Sequence, residues 1–157
     1  MTESKLHVMM EEVGNTLVEK LFADHGRITP VYVVLTGDNL VVIPAPPLDK
    51  DIALRLIREI FAKMQPDAYV FIDEAWVLQG TGPREDFPRD ISDHPDRKEV
   101  VHVFGEDYVS GMEMARRFII RPEGAPAQLG PLEFIGQDYV QMEGRMVGLL
   151  PAKGRAN

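Results

Sequence analysis

The residues best suited to chemistry form a polar segment, His94-Pro95-Asp96-Arg97-Lys98-Glu99, directly after a long loop. A histidine beside a carboxylate can act as a general base or a metal ligand, and Asp96 or Glu74 could orient the His94 ring. The same segment is typical of a solvated turn, because proline and aspartate favour turns. The first interpretation predicts a small hydrolase or metal-assisted enzyme that uses His94, Asp96 and Glu74. The second predicts no chemistry here.

A metal site would require several of these side chains to converge. His94, Asp96, His102 and Glu74 could together supply nitrogen and oxygen ligands. None of their spacings matches a metal-binding motif. His102 lies within the apolar run Val100 to Phe104, which favours a strand histidine with a local partner. We therefore expect no metal and no cofactor.

Several classes of function can be excluded from residue types alone. The chain has no cysteine, which excludes disulfide scaffolds, thiolate metal sites and cysteine nucleophiles. It has no G-x-S-x-G elbow, no phosphate-binding glycine loop and no dinucleotide-binding fingerprint. No catalytic signature of an established kind therefore supports the enzymatic interpretation.

The charge of the chain argues against two kinds of partner. The formal net charge is −8, and the 17 basic residues are scattered among 25 acidic ones. Nucleic acids and anionic membranes require clustered Lys and Arg, so neither is expected as a partner. The start of the chain does not resemble a signal peptide, and no apolar run approaches the length of a membrane span. We therefore expect a cytoplasmic protein.

The hydrophobic periodicity predicts a single α+β domain over residues 1–150, with a flexible tail at 151–157. The predicted order is α-β-β-α-β-β-β-β, which indicates a predominantly antiparallel sheet with two helices. The first predicted helix is 3–23, with close packing at Gly14 and a C-terminal cap at Gly26. The second is 50–64, capped by Asp49. The predicted strands are 31–36 and 40–43, joined by a turn at 37–39, then 68–79, 100–104 and 112–120, with 132–135 and 146–150 as candidate final strands. The sequence also predicts that residues 105–107 form the turn before strand 112–120.

The strand over residues 68–79 is the most apolar, and each of its faces carries one carboxylate. These are Asp73 and Glu74. Glu74 alternates with Val70, Ile72, Trp76 and Leu78, so it is predicted to lie among apolar side chains. A buried carboxylate without a partner is costly. Arg116 interrupts an apolar row in strand 112–120, which makes a structural ion pair between Glu74 and Arg116 the predicted solution.

Residues 80–95 form a long loop with two Gly, three Pro and many charges. Loops of this length are usually functional or mobile. The loop begins where the Glu74–Trp76 strand ends and finishes at His94. We therefore expect it to be exposed, to flank the main cleft, and to place ligand or partner contacts at Trp76, Phe87, His94 and Arg97.

The central part of the chain resembles a group of small bacterial proteins of unknown function. The resemblance rests on the strand Ala68-Tyr69-Val70-Phe71-Ile72-Asp73-Glu74-Ala75-Trp76 and on the segment from His94 to Glu99. It covers roughly the middle third of the chain. It implies an α+β fold and transfers no activity and no catalytic residue.

The leading hypothesis from the sequence is a non-enzymatic binding or assembly module. Strands 31–36, 68–79 and 112–120 carry apolar residues on both faces, and only two helices are predicted to cover them. If both helices pack on one face, the other face needs cover from the long loops or from a second chain. We therefore expect a homodimer, with another protein as a possible partner.

Overall fold

The computed structural model describes residues 4–77, 97–135 and 149–151. The helical elements are α1 (Lys5–Glu12), a π-helical turn (Val13–Leu17), α2 (Val18–His25) and α3 (Lys50–Met64). The strands are β1 (Val31–Thr36), β2 (Asn39–Pro44), β3 (Ala68–Val77), β4 (Lys98–Asp107), β5 (Gly111–Ile120), β6 (Gln128–Leu129) and β7 (Glu133–Ile135). The predicted α+β class and the predominantly antiparallel sheet are confirmed.

The first predicted helix begins and ends at recognisable caps. The Ser4 side chain accepts a hydrogen bond from the backbone N–H of His7 at 3.0 Å, and Gly26 ends the helix in the left-handed conformation with φ 68°. The sequence predicted a continuous amphipathic helix with close packing at Gly14. The packing is confirmed, since a methyl group added there would lie 2.9 Å from Leu132 Cδ1. The π-helical turn at this point was not predicted.

The sheet has the strand order β2-β1-β3-β4-β5-β6, and β7 also pairs with β5. Every pair of strands that the structure describes is antiparallel. β3 lies in the interior of the sheet between β1 and β4, which accounts for its apolar residues on both faces.

The helices pack on opposite faces of this sheet, and each face has its own core. The helix formed by α1, the π-helical turn and α2 covers one face, where its side chains contact those of β1, β3, β4 and β5. The second core lies between α3 and β1 and β3, and it includes Tyr32, Ile57, Phe61, Tyr69 and Phe71. The condition on which the dimer prediction rested, two helices sharing one face, is therefore not met. The dimer itself stays a prediction.

The turn between β4 and β5 lies three residues later than predicted. Residues 105–107 belong to β4, and the turn is formed by Tyr108–Ser110. Asp107 is the turn-forming residue, because its Oδ1 accepts hydrogen bonds from the backbone N–H groups of Val109 and Ser110. Gly111 closes the turn with φ 73°. Gly105 does not form the turn. It lies within β4, where the lack of a side chain allows α1 to pack against the strand.

Gly105 lets α1 approach the sheet closely, which gives a testable prediction. A methyl group at this position would lie 2.6 Å from Met10 Sδ and 2.9 Å from Leu6 Cδ1, and both of those residues are fully buried. We expect Gly105→Ala to lower the free energy of unfolding by about 2 kcal/mol through overpacking. Urea denaturation measures this change. Gly130→Ala is the matched control, because its added methyl would be in ordinary contact at 3.5 Å; equal stability of the two variants would contradict the prediction.

Candidate ligand-binding site

Four polar side chains form a line across one face of the sheet. Asp73 lies opposite His102 in the β3–β4 register, and His102 lies opposite Arg116 in the β4–β5 register. Arg116 in turn lies opposite Glu133 of β7. Directly opposite residues on neighbouring strands share a face, at a strand spacing of about 4.8 Å. We call Asp73, His102, Arg116 and Glu133 the polar row.

Apolar rows flank the polar row on both sides along the strands. The residues on one side are Phe71, Phe104, Met114 and Ile135. The residues on the other side are Ala75, Val100 and Phe118. The polar row therefore lies in a frame that is predominantly aliphatic and aromatic. All four of its side chains keep partial access to solvent.

Burial perturbs both members of the Asp73–His102 pair. The Nδ1 atom of His102 lies 3.9 Å from Oδ1 of Asp73, which is longer than a hydrogen bond. Desolvation raises the pKa of Asp73 to about 6, against a lowering effect from Lys50 and with a smaller raising effect from Glu74. Desolvation lowers the pKa of His102 to about 4, with help from the charge of Arg116. At neutral pH the row therefore holds an ionised Asp73 beside a neutral imidazole.

Two atoms of the polar row are enclosed without a hydrogen-bond partner. They are Oδ1 of Asp73 and Nε of Arg116. Arg116 Nε lies 3.7 Å from Oε2 of Glu133, and its guanidinium carbon lies 4.8 Å from the ring centroid of Phe118. A buried polar atom without a hydrogen bond costs about 1–3 kcal/mol. Such atoms are uncommon in native proteins, so the row is held at a cost in stability.

Glu74 and Arg116 do not form the predicted ion pair. Glu74 lies opposite Val101, whose neighbours Val103 and Ala115 face α1, whereas Arg116 lies opposite His102 on the other face. The partner of Glu74 is the backbone N–H of Ile28, which donates to its Oε1 at 2.5 Å. The prediction that Glu74 needs a partner is confirmed, but the partner is the backbone after α2 and not Arg116.

Two of the predicted contact residues do touch each other. The guanidinium carbon of Arg97 lies 4.5 Å from the centre of the Trp76 ring, a cation–π arrangement. Trp76 shares a face with Glu74, so this pair is on the opposite side of the sheet from the polar row. Phe87, His94 and Asp96 lie outside the described residues, as does the loop from 80 to 95. The predictions made for them stay predictions.

Sequence reasoning did not identify the polar row. The sequence pattern placed Asp73 only as the carboxylate on the other face of β3. It predicted a local partner for His102, but Asp73 lies on the neighbouring strand, 3.9 Å away and beyond hydrogen-bond distance. Glu133 carried no signal at all. The available signal was a polar residue interrupting an apolar row in each of three strands, namely Asp73, His102 and Arg116. Only the strand register shows that these interruptions coincide.

Known proteins give no guide to the ligand of this site. No protein-family model matches the chain, and neither the curated proteins nor the solved structures include a match. In the part of the chain that the structure describes, which includes His102 and Glu74 but not His94 and Asp96, no group of three or more His, Cys, Asp or Glu side chains could hold a metal ion. Within the same residues, no helix has the length and apolarity to cross a membrane.

Proposed function

We propose that this protein is a binding module and that the polar row is its ligand site. The ligand class that fits best is a small zwitterion, such as an α-amino acid or a short peptide. The observation that carries this proposal is the placement of a partly exposed carboxylate, Asp73, and a partly exposed guanidinium, Arg116, on one face of the sheet with His102 between them. A ligand that carries an ammonium group and a carboxylate could pair with both.

The charges of the row favour a ligand with no net charge. An ammonium group is attracted to the ionised Asp73, and a carboxylate is attracted to the guanidinium of Arg116. His102 lies between these two in the register and is neutral at neutral pH. A simple anion would meet the carboxylates of Asp73 and Glu133, and a simple cation would meet Arg116. A zwitterion avoids both conflicts.

The same geometry argues against His102 as a general base. A general base works best with a pKa near the working pH, and the pKa of His102 is about 4. The 3.9 Å separation from Asp73 also leaves His102 without the close orienting hydrogen bond of a catalytic dyad. The alternative hydrolase would use Glu74, whose Oε1 is already bound to the N–H of Ile28 on the opposite face.

Calorimetric titration with a matched set of probes tests this function. The common α-amino acids are compared with their decarboxylated amines and their deaminated acids. We expect at least one zwitterion to bind, and we expect both single-charge counterparts to bind at least tenfold more weakly, since the loss of one charged hydrogen bond costs about 1.4 kcal/mol or more.

Three variants locate the binding on the polar row. Asp73→Asn and Arg116→Met are expected to weaken binding about tenfold or more. Arg121→Met is the matched control, because Arg121 binds Glu99 through two hydrogen bonds away from the row. Binding by no zwitterion, or equal affinity of all three variants and the wild type, would refute the proposal.

A further inference from the structure

We infer that β2 is a dimerisation surface that pairs edge to edge with β2 of a second copy of this chain. β2 lies at the end of the strand order and has only β1 as a neighbour among the strands that the structure describes. Its central residues Leu40, Val41 and Val42 are 57%, 42% and 51% exposed. Exposed apolar residues on an unpaired edge strand are a template for pairing with another strand.

The backbone groups that β2 offers can be assigned from one hydrogen bond. The N–H of Ala45, just beyond β2, donates to the carbonyl of Pro30 at 2.9 Å. In an antiparallel pair, hydrogen-bonded and non-bonded positions alternate along the strand. Ile43, Val41 and Asn39 therefore bond toward β1. Leu40 and Val42 direct their N–H and C=O groups outward, away from the sheet.

Among the residues that the structure describes, β2 lacks the usual features that prevent edge pairing. Protective edges carry lysine or other charges, bulges or covering segments. Residues 39–48 contain no charged side chain, although 27% of the chain is charged. Pro44 removes one outward N–H, but it stands at the last position of the strand. The centre of the edge is therefore open to pairing.

The outward groups are complementary to themselves, which points to a second copy as the partner. A two-fold axis beside Val41 places Leu40 of each chain opposite Val42 of the other. In that register, each Leu40–Val42 pair exchanges two hydrogen bonds, as narrow antiparallel pairs do. The two Val41 side chains meet at the axis. Such an interface is isologous, so it closes at the dimer and does not propagate.

The net charge of each copy sets the salt dependence of this dimer. Two chains of net charge −8 repel at long range, while the uncharged edge itself contributes no ion pair. Salt screens the repulsion. Dimerisation should therefore strengthen as the salt concentration rises, in contrast to an interface built on opposite charges. This surface is independent of the polar row, which runs from β3 to β7.

Sedimentation equilibrium over a concentration series tests the inference. The wild type is expected at twice the chain mass of 17.7 kDa. Val42→Pro removes an outward N–H and leaves the bonds between β1 and β2 intact, so it is expected to be a folded monomer by circular dichroism. Val42→Lys keeps the N–H and adds a charge, and it is expected to weaken the dimer at least tenfold. Val8→Lys, at an exposed position on α1, is the control that stays dimeric.

Three results would overturn the inference. A wild-type monomer at several hundred micromolar would exclude the second copy as the partner. A dimer that persists in Val42→Lys, or a mass above the dimer, would place the contact elsewhere. If Val42→Pro fails to fold, Val42→Lys decides the question alone.

Discussion

Asp73→Asn and His102→Gln are expected to tilt the pH dependence of stability in opposite directions. Relative to the wild type, Asp73→Asn should gain stability as the pH rises from about 4 to 6.5. His102→Gln should lose stability over a similar range. The expected change across the range is on the order of 3 kcal/mol for each variant, because the pKa of Asp73 is raised from 3.8 to about 6 and the pKa of His102 is lowered from 6.5 to about 4.

The sign follows from which state binds more protons. The pKa of Asp73 is raised from 3.8 to about 6 in the folded protein, so the native state binds more protons between these values. Its contribution to stability is therefore present at low pH and is lost as the pH rises through 6. The pKa of His102 is lowered from 6.5 to about 4, so its contribution is present above 6.5 and is lost as the pH falls through 4. In the wild type the two contributions largely offset each other.

Urea denaturation measures the free energy of unfolding of each variant as a function of pH. The curves are recorded between pH 3.5 and 7.5, at intervals of roughly half a pH unit. The double variant Asp73→Asn/His102→Gln is the control, because it removes both groups and should run parallel to the wild type. Single variants that also run parallel to the wild type would show that neither group is perturbed by burial.

Most of the fold could be predicted because its signals are local. Asp49 and Gly26 cap helices where their sequence positions indicate, and the Gly37-Asp38 turn joins β1 to β2 as expected. The turn after β4 was placed too early, because Gly105 is equally compatible with a turn and with close packing. The packing that decides between them comes from Met10, nearly a hundred residues away in the chain.

The polar row could not be predicted because it depends on register between strands distant in sequence. A shift of one residue moves a side chain to the other face of a sheet. For this reason Asp73 and Glu74 have unrelated surroundings although they are adjacent in sequence. The same is true of Arg116 and Arg117. Alternation along one strand identified Arg116 as an interruption, but it did not indicate which residues lie opposite. His102 and Glu133 became visible only through the pairing of β4, β5 and β7.

Arg116 and Arg117 are neighbours with opposite expected effects on stability. Arg117 is 5% exposed, and its guanidinium donates to the carbonyls of Gly130 at 2.7 Å and Gly14 at 3.0 Å. It also donates to Oε1 of Glu19 at 2.6 Å. It thus ties the π-helical turn and the segment after β6 to the sheet. Arg116, in contrast, leaves its Nε without a hydrogen-bond partner.

We expect Arg117→Met to lower the free energy of unfolding by about 3 kcal/mol. The substitution leaves two carbonyls without their donor in a buried position, and each such loss costs about 1–3 kcal/mol. Glu19 adds little to the cost, because its side chain is 60% exposed and water replaces the guanidinium. We expect Arg116→Met to be no less stable than the wild type, since it removes an enclosed donor that has no hydrogen-bond partner. The 3.7 Å ion pair that it removes involves the half-exposed Glu133 and contributes little.

Urea denaturation of the two variants separates a structural arginine from one held in place for binding. If a residue is retained for ligand binding at the expense of stability, replacing it does not lower the free energy of unfolding. The replacement weakens binding instead. Arg116→Met should therefore fold normally and lose affinity for the zwitterion, whereas Arg117→Met should be destabilised and, while folded, keep that affinity. A large loss of stability in Arg116→Met would mean that the polar row is a structural network, and the binding proposal would then lose its main support.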